Sequence, residues 1–289
     1  MYHLEPTQPY SFASSLKRLQ DLPGQIVYRV EGDPPTYTRA LDQNGRLGLI
    51  RIAAQGTGLG VTLEGDLEAA DVLSRVTRAF SLDLDLPAFQ RHMEAADPIM
   101  AGLARKYAGA RPIAAFSLWE ALAFSMIAQQ ITMSFAFTLK ASLVSLAGRA
   151  YGPYPAFPGP EAVAALRYED LQAHKYSRRK AEYVIDTARA IVTGALDLEA
   201  VTALPFDQAV QELVKVRGVG RWTAECLLMD AGAPDAFPAG DIGIRNAVQR
   251  FYGLDHQPLE SEVRDMGRAW APYSSLACFY LWLGLLDKG

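Results

Sequence analysis

Hydrophobic periodicity changes once along this chain, near residue 85, and a chain patterned this way must join a sheet to a helical assembly. Four β-type runs precede the change: Gln25 to Glu31, Thr36 to Asp42, Arg46 to Ala53 and Gly58 to Leu63. Turn-forming tracts such as Glu31-Gly32-Asp33-Pro34-Pro35 and Asp42-Gln43-Asn44-Gly45 separate them, which predicts an antiparallel sheet. Asp66 is the expected N-cap of a helix from Leu67 to Phe80, whose Ala69, Val72, Leu73, Val76 and Phe80 form one apolar stripe able to cover a sheet face. Beyond Leu82-Asp83-Leu84-Asp85-Leu86-Pro87 the pattern becomes helical, and no strand is expected from there to Gly289. The clearest helices are Ser117 to Gln129, Ser134 to Val144, Ser177 to Thr193, Phe206 to Val214, Trp222 to Met229, Ile242 to Phe251 and Ser274 to Leu286. The expected class is therefore α+β: an N-terminal antiparallel sheet with helices over residues 1–85, then an all-α domain over residues 86–289.

With 289 residues and 50% hydrophobic content the chain can bury a substantial core. The longest apolar stretches, Leu118 to Ile127 and Cys278 to Leu286, are interrupted by Glu120, Ser125 and Gly284. They fall well short of the roughly 18 residues a membrane span needs, so they read as buried helices and no membrane partner is expected. Glu5 and the lack of an apolar leader argue against a secretory signal, which leaves the cytoplasm as the expected location. Cys226 and Cys278 are too few for a disulfide framework and lack metal-site clustering. They read as small packed hydrophobes. A net charge of −4 argues against binding nucleic acid over the whole surface, so any such contact must be local. A monomer is expected.

The most informative local signal is Leu213-Val214-Lys215-Val216-Arg217-Gly218-Val219-Gly220-Arg221-Trp222-Thr223-Ala224: a helix end, a Gly-x-Gly turn and a new helix start. Two glycines let backbone N–H groups converge while the second helix turns its positive N-terminal dipole to the same point, which suits a phosphate. Lys215, Arg217 and Arg221 add charge around it. The plainer alternative is an αα turn built on a glycine-terminated helix. A short way on, Pro238-Ala239-Gly240-Asp241-Ile242-Gly243-Ile244-Arg245 places Asp241 at the mouth of another helix. Taken alone, Asp241 is a helix cap.

Hairpin and aspartate together resemble the helix-hairpin-helix and Gly/Pro-rich loop plus Asp signature of a large DNA glycosylase superfamily. Within it the chain looks most similar to the bacterial 3-methyladenine DNA glycosylase II, or AlkA-type, branch. Gln8-Pro9-Tyr10-Ser11-Phe12 resembles that branch's opening segment, Ala128-Gln129-Gln130-Ile131 its loop facing the lesion, and Trp270-Ala271-Pro272-Tyr273-Ser274-Ser275 its C-terminal pocket segment.

The resemblance implies a DNA glycosylase that acts on duplex DNA carrying alkylated bases, with Asp241 as the catalytic aspartate. It implies a base pocket in the cleft between helical subdomains, with Trp222, Cys226, Ile242 and Tyr273 at its lining positions. Gln130, Lys215, Arg217, Gly218, Val219, Gly220, Arg221 and Thr223 fall at DNA-binding positions, Gln130 at that of the wedge. Members that also cut the strand carry a lysine nucleophile where this chain has Trp222, so base removal without lyase activity is implied. No four-cysteine cluster is present, which separates the chain from the iron–sulfur members. No cofactor or metal is expected, and a monovalent cation at the hairpin is left open. Cys226 and Ile242 stand where relatives carry tyrosines and Tyr273 where they carry tryptophan, so a roomier pocket with an altered substrate range, alkylated pyrimidines included, is expected. Two alternatives stay open: a glycosylase for oxidised or mismatched bases, and a non-catalytic protein that uses the hairpin only as a phosphate clamp.

Overall fold

The computed structural model describes residues 1–20 and 22–287. Its first elements are β1 (Tyr2–Leu4), α1 (Phe12–Leu16), β2 (Tyr28–Glu31), β3 (Thr36–Gln43), β4 (Arg46–Gln55) and β5 (Gly58–Gly65). The strands form one antiparallel sheet in the order β1-β5-β4-β3-β2. Asn44 and Gly45 join β3 to β4 with φ of 53° and 88°, the left-handed pair that lets a two-residue turn follow the strand twist. β1 lay outside the expected runs; three residues are too few to show a period of two.

α2 (Ala69–Ala79) covers one face of the sheet. Its Val72, Val76 and Ala79 are buried with Tyr37, Ile50, Ile52, Leu59 and Val61 in one cluster. Its N-cap is Glu68, whose carboxylate accepts from the N–H groups of Ala70 and Asp71, and not Asp66 as the sequence predicts. The backbone N–H of Asp66 still donates to Leu47 O, and its side chain pairs with Arg46 at 2.9 Å, so the chain has not yet left the sheet there.

The helices that follow are α3 (Leu86–Ala96), α4 (Pro98–Lys106), α5 (Leu118–Ala128), α6 (Met133–Ala147), α7 (Pro160–Ala164), α8 (Tyr168–Gln172), α9 (Arg178–Val192), α10 (Leu198–Thr202), α11 (Phe206–Leu213), α12 (Arg221–Asp230), α13 (Ile242–Tyr252), α14 (Glu260–Met266) and α15 (Ser274–Leu285). Ser117 and Ser177, where the sequence predicts these helices to begin, are the N-caps of α5 and α9. The expectation of no strand beyond residue 85 fails in one place. Ala150–Tyr151 pairs with Tyr154–Pro155 in a small ladder that packs on β3 and β4, with Tyr151 and Tyr154 set against Ala40 and Leu49. Two residues per strand carry no periodic signal.

The helices bury two cores. One draws on α5, α6, α9, α11 and α12, and the other on α3, α4, α13, α14 and α15. The two parts of the chain interlock across residue 85: Phe116 joins the sheet's cluster, and Val27 joins the first helical core. A buried ion triad strengthens that join, since Glu120 on α5 accepts from Arg39 on β3 at 2.8 Å and from Lys140 on α6 at 3.0 Å. The chain passes from one helical core to the other between α12 and α13, and Asp241 stands in that passage. Among the described residues no helix is long and apolar enough to cross a membrane.

Candidate active site

Asp241 is indeed the N-cap of α13, with Oδ1 accepting from Ile244 N–H at 3.0 Å. Capping is only part of its role. Trp282 Nε1 donates to the same Oδ1 at 3.1 Å, and Trp222 Nε1 donates to Oδ2 at 3.1 Å. A carboxylate offers about two acceptor sites per oxygen. Oδ1 has both occupied, while Oδ2 keeps one open and is the atom able to face a substrate. Gly243 permits this arrangement, because a Cβ there would lie 3.0 Å from both Asp241 Oδ1 and Trp282 Nε1.

The two indoles come from two helices that meet over the carboxylate. Trp222 and Cys226 are four residues apart on α12, and Cys278 and Trp282 are four apart on α15, so each pair shares a helix face. Burial, then the charge of Asp241, pushes both thiols up, which keeps them neutral and inert. At the far end of α12, burial raises the Asp230 carboxyl to about 6 although Ala115 N–H donates to it at 2.7 Å. Of the other predicted lining residues, Ile242 is 58% exposed beside Asp241, as a wall of an open cleft would be. Tyr273 is half-buried at the head of α15 and turns its ring to Phe89 and His92, with centroids 5.8 and 5.4 Å away.

Sequence reasoning missed Trp282. Its only sequence mark is the i, i+4 spacing from Cys278 inside an almost wholly apolar helix.

The predicted hairpin is formed between α11 and α12. Val219 is buried in the first helical core, so what the turn offers outward is backbone. Gly220 caps α12 in an extended conformation; no side chain caps that helix, and nothing lies within 4 Å of where a Cβ would sit. The first N–H groups of α12 are thus open to an anion. Gly218 is required for a different reason. Its φ is +91°, and a Cβ would fall 2.3 Å from the Tyr183 ring. Gly218→Ala is expected to lower stability by roughly 1–3 kcal/mol and to weaken duplex DNA binding in parallel, read by thermal unfolding and by titration with labelled DNA.

The three hairpin cations are not free as the sequence suggests. Lys215 pairs with Glu212, Arg217 with Glu182 and Asp186, and Arg221 with Glu225. Their carboxylates come partly from α9, which the local sequence does not reveal. Each cation is more than half exposed and can turn to a phosphate. Only the Lys215–Glu212 pair is well exposed on both sides and single, and so worth about 0–1 kcal/mol, whereas Glu225 is 1% exposed and keeps Arg264 as a second partner.

Gln130 is exposed at the turn between α5 and α6 with φ of 57°. Its neighbour Gln129 braces that turn, donating to Gly218 O and to Thr223 Oγ1, both at 2.8 Å. Lys180 ties down the same turn through the carbonyls of Ile127 and Gln129, at 2.8 and 2.7 Å. Thr223 is 1% exposed and its hydroxyl anchors the Gln129-Gln130 turn to the hairpin, which leaves its backbone N–H as the group on offer to DNA.

A hairpin between helices, a short connection and a carboxylate held at the head of the next helix define the helix-hairpin-helix class of DNA repair protein. A family model described as HhH-GPD superfamily base excision DNA repair protein matches residues 123–272, and the chain belongs to that superfamily. It is 31% identical over 279 residues, 96% of each chain, to YfjP of Bacillus subtilis, whose name assigns it provisionally to the DNA-3-methyladenine glycosylases. It is 27% identical to DNA-3-methyladenine glycosylase 2 of Escherichia coli over 98% of this chain and 96% of that one. The solved 3-methyladenine DNA-glycosylase from Archaeoglobus fulgidus superposes with a TM-score of 0.84 over 98% of both chains, at 26% identity. These near full-length matches agree with the AlkA-type resemblance read from the sequence.

Proposed function

We propose that the protein is a monofunctional DNA glycosylase that hydrolyses the N-glycosidic bond of alkylated bases in base excision repair. The observation that carries this reading is the Asp241 carboxylate, fixed by two indole N–H groups and one backbone N–H, with one acceptor site of Oδ2 open beside the hairpin. The relatives named as 3-methyladenine glycosylases give the substrate class, with 3-methyladenine and 7-methylguanine as the bases to try first.

A base inside a duplex is out of reach, so its nucleotide must leave the stack, at a cost of a few kcal/mol that is lowest for damaged pairs. The hairpin's open N–H groups grip the backbone, and Gln130 on its braced turn enters the gap. Breaking the bond between C1′ and the base nitrogen sends the electron pair to the base and leaves positive charge on the sugar. Asp241 Oδ2 stabilises that charge more strongly in a dry cleft than water would. Water then adds to C1′ and loses a proton. Trp222 stands where a lysine would be needed for a Schiff base, so the strand stays whole. The base pocket is the cleft between the two helical cores, and the enzyme works as a monomer on the chromosome in the cytoplasm.

The test is release of free base from duplex DNA containing 7-methylguanine or 3-methyladenine, with no strand break until alkali is added. Breaks without alkali would sink the monofunctional claim, and no free base would favour a phosphate clamp. The small Cys226 side chain also predicts a widened substrate range. Cys226→Tyr is expected to lower release of alkylated pyrimidines several-fold relative to 3-methyladenine, and an unchanged product ratio would refute the widening.

A further inference from the structure

Arg18 lies in the single 3-10 turn (Lys17–Leu19) that follows α1. Phe12 and Leu16 anchor one side of this segment in the sheet's core. Arg18, two residues past Leu16, projects to the opposite side. The segment is firmly placed: Ser11 N–H donates to Gly109 O at 2.8 Å, Arg111 N–H donates to Ser15 Oγ at 2.9 Å, and the buried Arg111 guanidinium binds the carbonyls of Thr7 and Pro9. The Arg18 guanidinium rests over the face of Trp282, 4.6 Å from the ring centroid. The edge of that same indole donates to Asp241 Oδ1. A cation from the N-terminal segment therefore reaches the carboxylate site of the helical part.

Two facts set this arginine apart. Among the described residues, Arg18, Arg91 and Arg179 are the arginines with no hydrogen-bond or ion-pair partner, and the other two are exposed on the surface. Arg18 is half-buried, and burial, partly offset by Asp241, lowers its pKa only to about 10, so it stays charged at neutral pH. Half-buried guanidinium donors beside an indole face, without an acceptor among the described residues, are arranged for a ligand acceptor.

We propose that Arg18 contacts the extruded base and selects for neutral bases that carry a carbonyl oxygen, by stabilising the negative charge such a base acquires as it leaves. The inference rests on the glycosylase reading above and extends it. When the C1′–N bond of a cationic base breaks, the electron pair neutralises the base and no further help is needed. When the base is neutral, the same pair makes it an anion. Water adds to C1′, and its released proton ends on the base, so the products are free base and the sugar hemiacetal. Arg18 stabilises that anion through charge-assisted hydrogen bonds to its carbonyl oxygen. A pocket shaped only for cations has no use for a guanidinium, whose charge opposes a cationic base.

The test compares single-turnover release of hypoxanthine, a neutral base with a carbonyl, and of cationic 7-methylguanine, from duplexes that are otherwise identical. The native protein is expected to release both. In Arg18→Gln the ratio of hypoxanthine to 7-methylguanine rates is expected to fall at least about tenfold, with the 7-methylguanine rate rising as the opposing charge is removed. Arg18→Lys keeps the charge without the planar fork and is expected to fall between the two. It decides the matter if Arg18→Gln does not fold. Release of 7-methylguanine by the native protein without hypoxanthine would overturn the role of Arg18 and leave the glycosylase reading intact. An unchanged ratio in a folded variant would do the same, reducing Arg18 to a packing partner of Trp282. Release of neither base by the native protein would instead overturn the glycosylase reading itself.

Discussion

Asp241→Asn is expected to reduce base release at least about a thousandfold while the variant still binds duplex DNA, since the hairpin lies on separate residues. The substitution keeps size and removes charge, but it is not electrostatically simple. Oδ1 accepts from both Ile244 N–H and Trp282 Nε1, so the amide oxygen of asparagine must take that place. The NH2 group then replaces Oδ2 and meets Trp222 Nε1 donor to donor. The Trp222 indole is expected to lose its partner, so its fluorescence should change along with the rate. Single-turnover excision and DNA titration on the same preparation separate the two effects. Full excision by the Asn variant would remove Asp241 from the mechanism, and loss of DNA binding would show that the substitution damages more than the site.

Glu120→Gln should give the largest stability effect. Glu120, Arg39 and Lys140 have side chains 5%, 4% and 8% exposed, and removing the one anion leaves two buried cations unpaired. Breaking such a pair costs roughly 3–5 kcal/mol, a fall of roughly 10 °C in Tm at this chain length. Burial disfavours the Glu120 charge, but Arg39 and Lys140 outweigh it and hold its carboxyl down to about 2. A carboxyl lowered by folding contributes stability that is complete above its ordinary value, 4.5, and is lost as the pH falls toward 2. The gap in Tm between native and Gln forms should therefore be widest near neutrality and narrow through that acid range. A gap independent of pH would mean that shape, not charge, sets the cost.

The features legible in the sequence were those with a local cause. The Asn44-Gly45 turn, the helix starts at Ser117 and Ser177, and the Gly218-Val219-Gly220 hairpin each depend on a few adjacent residues. Asp241 also read correctly as a cap, and only its company suggested chemistry. What stayed hidden arises between distant segments. Within the apolar α15 only its spacing from Cys278 marks Trp282, and that gains meaning once Asp241 from the head of α13 meets its indole. Arg217 looked free because Glu182 and Asp186 approach from α9. Gln129 and Gln130 are adjacent and chemically identical, and only the backbone at Gln130 turns one outward while the other reaches Gly218. The shift of the α2 cap from Asp66 to Glu68 has the same origin, because pairing to β4 holds Asp66 in the sheet.

The pairing of the hairpin cations changes what DNA exchanges on arrival. A protein with bare lysines and arginines binds by displacing small ions from the phosphates, and its affinity falls steeply with salt. Lys215, Arg217 and Arg221 instead carry their own counter-ions in Glu212, Glu182, Asp186 and Glu225. A phosphate that captures Lys215 frees the exposed Glu212 carboxylate, which then gathers cations from solution, while Glu182 and Glu225 keep Arg178 and Arg264 as partners. Part of that ionic exchange cancels, so the salt dependence of DNA binding at the hairpin is expected to be shallower than three bare cations would give.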